Sequence, residues 1–274
     1  MTRPAAAVAL ANPLSSDMNV LRPSLLPGLL DSLRHNLNRQ NLDVALFEVG
    51  RVFVPDGGSI AEHRRIGLAL TGQRQPTFWS GPDREARYDE SDLKGLVDEF
   101  LEQYGLRGVT CLRQTDPPPL FVESAVLLLG GKLALGEIGQ LAPALAKRYD
   151  LRDPVFLAEL DLTQLLLRRN PVKSFKPLPA FPSIRRDLAI VVVESVTHEA
   201  VVSAVRQAKV QHLESIELFD VFRGKNIAPG QKSLAYAFTY RSAERTLTDT
   251  EVNAAQEKIV ARLAQDLDAV VRDS

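Results

Sequence analysis

The sequence predicts an α+β protein with two domains, each built around an antiparallel sheet. The chain has 274 residues, more than the usual size of one domain, and its 45% hydrophobic and 24% charged residues are ordinary for a globular protein. A few segments have apolar residues at helical spacing, whereas many short segments rich in β-branched and aromatic residues are typical of strands. A proline-rich segment divides the chain at 167–182. These observations favour two domains, at 1–166 and 183–274.

Composition argues against several classes of function. The net charge of −1 and the pI near 6.5 argue against nucleic-acid binding by bulk electrostatics, although recognition of a few bases remains compatible with them. No apolar run approaches the ~20 residues needed to cross a bilayer. A short Ala/Val run near the N-terminus is broken by Asn12-Pro13 and is a poor signal peptide, so we expect a cytoplasmic protein. The single cysteine, Cys111, argues against a disulfide framework or a cysteine-based zinc site.

The first domain, 1–166, begins with a predicted helix at 24–38. Strands are expected at 44–54 and 66–72, joined by a Pro-Asp-Gly-Gly turn, and a second helix at 91–104. The apolar stripe of the first helix contains Leu26, Leu29, Leu30, Leu33 and Leu37, and that of the second contains Leu93, Leu96, Val97, Phe100 and Leu101.

The rest of the first domain is predicted to be mainly strands. We expect them at 109–114, at 155–162, and in a hairpin at 124–140 that turns at Gly130-Gly131, with a short helix at 143–151. Helices combined with a series of antiparallel strands indicate a sheet covered on one side. The segment 167–182 contains four prolines and several basic residues, and it is predicted to be an extended linker.

The second domain, 183–274, has the clearest pattern in the chain. A strand at 185–194 leads to Thr197, a predicted N-cap for a helix at 198–209. Strands at 212–224 and 232–242 flank a Pro-Gly turn. Thr248 and Glu251 form a capping box for a helix that ends near Asp266, and a short strand at 268–272 follows. This order, β-α-β-β-α-β, is the split ferredoxin-like topology.

Alternation along these strands predicts which face of the second sheet the helices leave open. The predicted core-facing side chains are Leu188, Ile190, Val192, Leu234, Tyr236, Phe238 and Tyr240. The predicted open-face side chains are Asp187, Ala189, Val191, Ser233, Ala235, Ala237 and Thr239. The second strand is ambiguous, because Phe219 and Val221 would face the core while Asp220 and Phe222 would face outward. Small residues beside a carboxylate, a hydroxyl and an aromatic ring suit a nucleic-acid base, but an ordinary solvated sheet face explains the pattern as well.

Long ungapped stretches carry a family resemblance. ANPLSSDMNVLRPSLLPGLLDSLRHNLNRQNLDVALFEVGRVF and YDLRDPVFLAELDL resemble the catalytic-like domain of the β subunit of bacterial phenylalanyl-tRNA synthetases. FPSIRRDLAIVV, LFDVFRGKNIAPGQKSLAYAFTYRSAERTLTDTEV and VVRDS resemble the ferredoxin-fold anticodon-binding domain of that subunit. The resemblance implies a class II synthetase-like first domain without catalytic function, followed by a domain that binds the anticodon of tRNA(Phe).

The resemblance also implies where catalysis takes place. In this family the α subunit is catalytic and the enzyme is an α2β2 heterotetramer, a phenylalanine–tRNA ligase that uses ATP and Mg²⁺. A working class II site needs an arginine and an acid on the motif 2 strands, which bind ATP phosphates. Glu48 and Arg51 superficially match that strand, but an ion pair between them at a strand edge explains them better. No arginine follows the glycine-rich stretch at 129–140.

We therefore expect no catalytic residue, no bound cofactor and no metal site in this chain, and no activity from the chain alone. The four histidines, His35, His63, His198 and His212, are scattered without a ligand spacing.

Matching positions imply an anticodon site on the open face. Asp220 matches a carboxylate that accepts hydrogen bonds from the N1–H and N2–H₂ donors of guanine, the first anticodon base. Ser233 matches a neighbouring hydroxyl, and Ala189 matches a small residue that lets a base approach. Phe222 stands where the family often has tyrosine, so stacking is kept and the phenolic hydrogen bond is lost. Arg272 matches an arginine near the anticodon.

The basic pair Arg185 and Arg186 is a further possible contact to the RNA backbone. Ion pairs with Glu194 or Glu217 explain these two arginines equally well.

Two further expectations concern partners and the extent of the protein. The leucine stripe at 24–38 is a candidate surface for the α subunit, unless it packs on its own sheet. Family β subunits are several times longer, with a tRNA domain and an editing site before this region, so the chain is either part of a longer subunit or a short form. An autonomous ferredoxin-like module that binds RNA or regulates outside aminoacylation is the alternative function, and an independent enzyme is the weakest candidate.

Overall fold

The computed structural model describes residues 7–15, 18–81, 84–170, 178–224 and 226–272. The chain divides into two compact units, Met1–Ser174 and Phe175–Ser274. No helix in the described ranges is long and apolar enough to span a membrane.

The first unit is built on a six-stranded sheet in which every neighbouring pair is antiparallel. The strands are β1 Val8–Ala9, β2 Val20–Leu21, β3 Val44–Asp56, β4 Ser59–Thr71, β5 Val109–Arg113, β6 Phe121–Leu129, β7 Leu133–Leu141 and β8 Val155–Asp161. Strands β1 and β2 form a separate two-stranded sheet, and the others have the order β3-β4-β8-β7-β6-β5. The expected hairpin turns are present, with positive φ at Gly57 and Gly58 and at Gly130 and Gly131.

Helices cover this sheet on both faces, so the expectation of a sheet covered on one side is wrong. The helices are α1 Leu26–Leu37, α2 Glu90–Gln103, α3 Pro143–Arg148 and α4 Leu162–Arg168. Helix α1 shares one core with Ala69 and Leu157, whereas α2 and α4 share the other with Leu70 and Ala158. Adjacent residues of a strand point to opposite faces, so these two cores lie on opposite sides of the sheet.

The leucine stripe of α1 packs inward. Leu26, Leu29, Leu30 and Leu33 are each at most 4% exposed and lie against the sheet. Gly67 on β4 permits this close approach, since an added Cβ there would lie 2.7 Å from Leu29 Cδ1. The stripe is part of this unit's own core, so the expectation that it is exposed for a partner is wrong.

Two helices show where local signals are sufficient and where they mislead. Helix α2 begins at the capping box of Asp89 and Asp92, and Leu93, Val97 and Leu101 are buried as expected, but Leu96 is 48% exposed.

Helix α4 was not expected, because Leu162 was assigned to the end of a strand, 167–168 to the start of the linker, and 163–166 to no element. Asp161 caps it by accepting a hydrogen bond from the Gln164 amide at 3.0 Å, and Leu165 is buried. Most of the predicted linker, 171–177, lies outside the described residues.

The second unit has the expected β-α-β-β-α-β order. Its elements are β9 Ile184–Val193, α5 His198–Gln207, β10 Leu213–Phe222, β11 Gln231–Tyr240, α6 Asp249–Leu267 and β12 Val270–Val271. The strand order β10-β11-β9-β12 is antiparallel throughout, which confirms the ferredoxin-like topology. Thr197 caps α5, and the Thr248–Glu251 capping box opens α6, as the sequence predicts. The expected α+β fold class is confirmed.

Both helices pack on the face of the sheet that alternation selects. Tyr236, Phe238 and Tyr240 are at most 1% exposed in a core shared with α5 and α6. Burial raises the pKa of both tyrosines to about 12. Their hydroxyls have polar partners, because Tyr240 donates to Gln256 Oε1 at 2.6 Å and Tyr236 lies 3.1 Å from His198 Nδ1. The opposite face is the open one, as expected.

A β-bulge in β10 changes the outcome for Phe219. Leu218 pairs with Tyr236 and Asp220 pairs with Ala235, so Phe219 is an extra residue without a cross-strand partner. The Arg185 guanidinium, on the open-face side of β9, lies 5.7 Å from the centre of the Phe219 ring, which is 48% exposed. Phe219 therefore lies on the open face, and the expectation that it faces the core is wrong, because a bulge shifts the alternation by one residue.

Candidate nucleic-acid interface

Four residues form one row across the open face of the second sheet. Asp220 on β10 pairs with Ala235, which pairs with Ala189 on β9. The Arg272 amide donates to the Ala189 carbonyl at 2.9 Å and completes the row beyond β9. The two alanines form a low floor between the Asp220 carboxylate on β10 and the Arg272 backbone beyond β9.

A second row carries the aromatic ring. Phe222 pairs with Ser233, which pairs with Val191. The Arg272 guanidinium lies 5.2 Å from the centre of the Phe222 ring, within cation–π range, so this contact links the two outer strands across the face. Gly224 fits this arrangement, because a Cβ there would clash with the Phe222 ring.

The small residues of this face are less exposed than alternation suggests. Ser233 is 3% exposed and Ala237 is 1% exposed, although both point away from the helices. We attribute the burial of Ser233 to the Phe222 ring opposite it and to the guanidinium stacked on that ring. The Ser233 side chain is therefore almost inaccessible to a ligand in this arrangement.

Asp220 differs from the carboxylates around it. It is exposed, and its carboxylate has no hydrogen bond or ion pair with any residue in the described part of the chain. By contrast, Arg185 contacts Asp187 at 3.1 Å and Glu217 at 3.7 Å. The lone pairs of Asp220 are available to accept hydrogen bonds from a ligand.

Glu194, a carboxylate at the end of the same sheet, also has basic partners. Arg223 binds both oxygens of Glu194 and lowers the pKa of that carboxyl, and Lys232 Nζ lies 3.8 Å from Glu194 Oε1. Glu194 is therefore bound to Arg223 and Lys232, and it is not a partner of Arg185 or Arg186.

The two adjacent arginines have different surroundings. Arg185 lies on the open face, bound to Asp187 and Glu217. Arg186 pairs with Asp249 at the start of α6, on the helix side of the sheet. The structure thus brings Asp220, Phe222, Ser233, Ala189, Arg272 and Arg185 to one face, and it does not bring Arg186 there.

Phe219 is the residue of this face that alternation missed. The sequence does contain a signal for the orientation of Phe219. The core-facing residues of β10 are at even positions first (Ile216, Leu218) and then at an odd position, Val221, which pairs with Leu234. Such a change of phase within a strand indicates a bulge, but it does not show which residue is extra.

Glu48 and Arg51 do not form the ion pair expected between them. Glu48 binds Arg22 at 2.6 Å, whereas Arg51 binds Glu62 at 2.9 Å. Positions three apart in a strand point to opposite faces, so the two side chains cannot meet. For the same reason they cannot act together on one phosphate group, and the two residues do not fit a class II ATP site.

Two further carboxylates face each other under α1, and both have structural partners. Glu159 accepts hydrogen bonds from Ser24 Oγ at 2.9 Å and the Leu25 amide at 2.7 Å, which fixes the start of α1. Glu137, opposite it on β7, accepts from Ser124 at 2.9 Å and Gln114 at 2.5 Å. Burial raises the pKa of the Glu137 carboxyl. The described ranges contain no group of three or more His, Cys, Asp or Glu side chains placed to hold a metal ion.

Comparison with known families agrees with these features. A family model described as "Phenylalanyl tRNA synthetase beta chain CLM domain" matches residues 2–162. A second, described as "Ferredoxin-fold anticodon binding domain", matches residues 179–272. The chain belongs to the phenylalanyl-tRNA synthetase β-chain family. The resemblance in the sequence motifs is confirmed.

Relatives of this β-chain family are longer than the chain. Phenylalanine–tRNA ligase β subunits of Symbiobacterium thermophilum, Geobacillus kaustophilus and Pseudomonas putida are 39%, 37% and 39% identical to it. The matches cover 92%, 97% and 96% of this chain and 28%, 33% and 33% of those proteins. The chain therefore spans about a third or less of their length.

One solved structure, a pyrrolysyl-tRNA synthetase from Desulfitobacterium hafniense, is similar over 59% of this β-chain family member and 52% of its own chain. Its TM-score is 0.45 and its identity 18%, so no conclusion rests on this similarity.

Proposed function

We propose that the chain is the part of a phenylalanine–tRNA ligase β subunit that binds the anticodon of tRNA(Phe). Residues 183–274 are the anticodon-binding domain, 167–182 the linker, and 1–166 a class II synthetase-like domain without catalysis that contacts the catalytic α subunit. The observation that carries the proposal is the open sheet face of the second unit, with its exposed, unpartnered Asp220. Membership of the family supplies the substrate.

Asp220 is proposed to recognise guanine at the first anticodon position. The Watson–Crick edge of guanine presents two donors, N1–H and N2–H₂, and one carboxylate accepts both. The charge of the acceptor strengthens each bond. The alanine floor of the row, Ala189 and Ala235, leaves room for the edge of the base to come close to the sheet.

Phe222 and Arg272 are proposed to hold the same nucleotide. A base stacks on an aromatic ring whatever its identity, so Phe222 contributes affinity and Asp220 contributes selectivity. Arg272 already stacks on the ring and has no carboxylate partner in the described residues, so its charge is available to a phosphate. Movement of Arg272 toward the RNA would also uncover Ser233, which then supplies a hydroxyl beside Asp220.

The first unit is proposed to have an architectural role in a cytoplasmic α2β2 enzyme. The pairing of Glu48 and Arg51 with other residues leaves neither available for ATP. ATP and Mg²⁺ are therefore assigned to the α subunit, and no step of the reaction is assigned to this chain.

Aminoacylation by the enzyme reconstituted from α and β subunits tests the role of Asp220. A bidentate contact to a base is worth about 1–3 kcal/mol of discrimination. We therefore expect Asp220→Ala to reduce kcat/KM for a tRNA with guanine first in its anticodon by roughly ten- to a hundredfold. A tRNA with that base already changed should lose far less.

Glu257→Ala is the matched control, because this carboxylate is exposed on α6, away from the open face. It should leave both tRNAs unaffected. Equal losses for both tRNAs in the Asp220 variant would show that Asp220 supports the fold and does not recognise the base.

A further inference from the structure

The open face carries a second aromatic ring, Phe219, in addition to that of Phe222. We propose that Phe219, together with Arg185, forms a second base-stacking position, which holds a nucleotide next to the guanine bound by Asp220. This proposal rests on the anticodon-binding function and extends it from one nucleotide to two.

The bulge in β10 brings Phe219 to this position. In a regular strand Phe219 and Asp220 would point to opposite faces, and the ring would face the helices. Because Phe219 is the extra residue between the pairs Leu218–Tyr236 and Asp220–Ala235, both side chains lie on the open face. The ring is 48% exposed, so part of it is accessible to a base from solvent.

Arg185 forms the other part of the position. Its guanidinium lies 5.7 Å from the centre of the ring and is held there by Asp187 and Glu217. The ring is still 48% exposed with the guanidinium in place. A base can therefore stack on the exposed part of the ring while the planar guanidinium lies at its edge, and no internal contact has to break.

The geometry suits two successive nucleotides. Phe219 and Phe222 lie on either side of Asp220 on one strand, and each has an arginine stacked on it. Residues on one face of a strand are about 7 Å apart, so two unstacked bases can each find a ring without distorting the sheet. Stacking tolerates every base, so the Phe219 position should contribute affinity with little selectivity.

Binding of stem–loop RNAs to the chain, measured by fluorescence anisotropy at fixed salt, tests the proposal. The probes are an RNA with guanine first in its anticodon, the same RNA with that guanine changed, and two RNAs with an abasic nucleotide on one or the other side of the guanine. Phe219→Leu removes the ring but keeps an apolar side chain at this position. Loss of one stacked base should weaken binding about tenfold for both the guanine and the changed-guanine RNA.

On one of the two abasic RNAs, the wild type and Phe219→Leu should bind with equal affinity. That RNA lacks the base that would stack on Phe219, so removing the ring has no further effect. Phe219→Tyr should bind like the wild type, since it keeps the ring. Trp79→Leu is the matched control, because Trp79 is an exposed aromatic residue of the first unit and its replacement should leave RNA binding unchanged.

The outcomes separate the two proposals. If Asp220→Ala abolishes the preference for guanine while Phe219→Leu binds every RNA like the wild type, the second position is wrong and the anticodon function stands. If Phe219→Leu is weaker by the same factor on both abasic RNAs, the ring stabilises the sheet and holds no base. If the wild type shows no preference for guanine and Asp220→Ala changes nothing, the proposed function fails, and the second position fails with it.

Discussion

Within the open face, the important difference between residues is whether a charge has a partner. Asp187, Glu217 and Glu194 are held by arginine, whereas Asp220 has no such contact within the described residues. Exposed ion pairs contribute little to stability. The main consequence of these pairs is that Asp187, Glu217 and Glu194 are bound to arginines, whereas Asp220 can accept hydrogen bonds from a ligand. A ligand with paired donors would find Asp220 without having to break an internal contact.

Arg272 is predicted to contribute affinity without selectivity. Removing it takes away one positive charge near the RNA, so Arg272→Ala should weaken binding of guanine and changed-guanine RNAs by the same factor. The slope of log K against log salt should fall by about 1. Anisotropy titrations at several salt concentrations measure both quantities. A loss confined to the guanine RNA would instead assign base recognition to Arg272.

Glu137 is predicted to make stability depend on pH. Burial, with a smaller contribution from the facing Glu159, raises the pKa of its carboxyl above the ordinary 4.5. Because the pKa of Glu137 is higher in the folded than in the unfolded protein, its protonation stabilises the folded state. This stabilisation is complete at a pH below the pKa of the unfolded state, and it is lost as the pH rises through the pKa of the folded state. Glu137→Gln keeps an oxygen for Ser124 and Gln114 and removes the charge.

The free energy of unfolding of Glu137→Gln relative to the wild type should therefore increase as the pH rises above 4.5, the ordinary pKa of this carboxyl. Urea denaturation at a series of pH values measures this difference. Glu123→Gln, an exposed carboxylate on β6 paired with Arg113, is the control and should not show that increase. A constant difference across this range would contradict the assignment.

Among the elements of the first unit, β3 has two large apolar side chains exposed on one face. Phe47 is 73% exposed and Val49 is 58% exposed. Both lie on the face of this edge strand opposite to the face on which Val52 is buried. The stripe of α1, which the sequence suggested as the partner surface, is buried instead. An exposed apolar pair on an edge strand favours contact with another chain.

Phe47→Asp is accordingly predicted to weaken association with the α subunit, because it places a charge in an apolar interface. Size-exclusion chromatography of the chain with the α subunit measures association, and circular dichroism verifies the fold. Trp79→Ser is the control, since Trp79 is 92% exposed outside the strands. Unchanged association by a folded Phe47→Asp variant would exclude this surface. Leu30→Asp is unsuitable for this test, because Leu30 is 2% exposed in the core.

At the scale of the whole molecule, each unit has its own hydrophobic core, and the proposed functions of the two units differ. The first unit has cores on both faces of its sheet, and its charged strand residues pair with one another. The second has one core on the helix side of its sheet, and the other face is the one proposed to bind RNA.

The chain alone is therefore predicted not to activate phenylalanine. Electrostatic stabilisation of the transferred phosphoryl group requires arginines aimed at it, and removing one such group typically costs about 3–4 kcal/mol. Glu48 and Arg51 point to opposite faces and have other partners. ATP–pyrophosphate exchange with phenylalanine is the measurement, with the reconstituted enzyme as the positive control. Exchange by the pure chain above background would contradict the assignment of catalysis to the α subunit.

Local signals in the sequence were sufficient for the order of the elements in the second unit and for most of its open face. The caps at Thr197 and Thr248, the glycine turns, and the alternation in β9 and β11 each involve residues close together in the chain, so periodicity and turn chemistry predict them. The family resemblance added the roles of Asp220, Phe222, Ser233, Ala189 and Arg272, which stay predictions until tested.

Other features depended on contacts between residues far apart in the sequence. The orientation of Phe219 follows from a bulge whose position is set by pairing with β11, and the burial of Ser233 follows from a stack between β10 and the end of the chain. The partners of Glu48 and Arg51, and the burial of the α1 leucines, likewise depend on distant strands. Periodicity specifies which way a side chain points along its own element, but only the assembled sheet decides what it meets there.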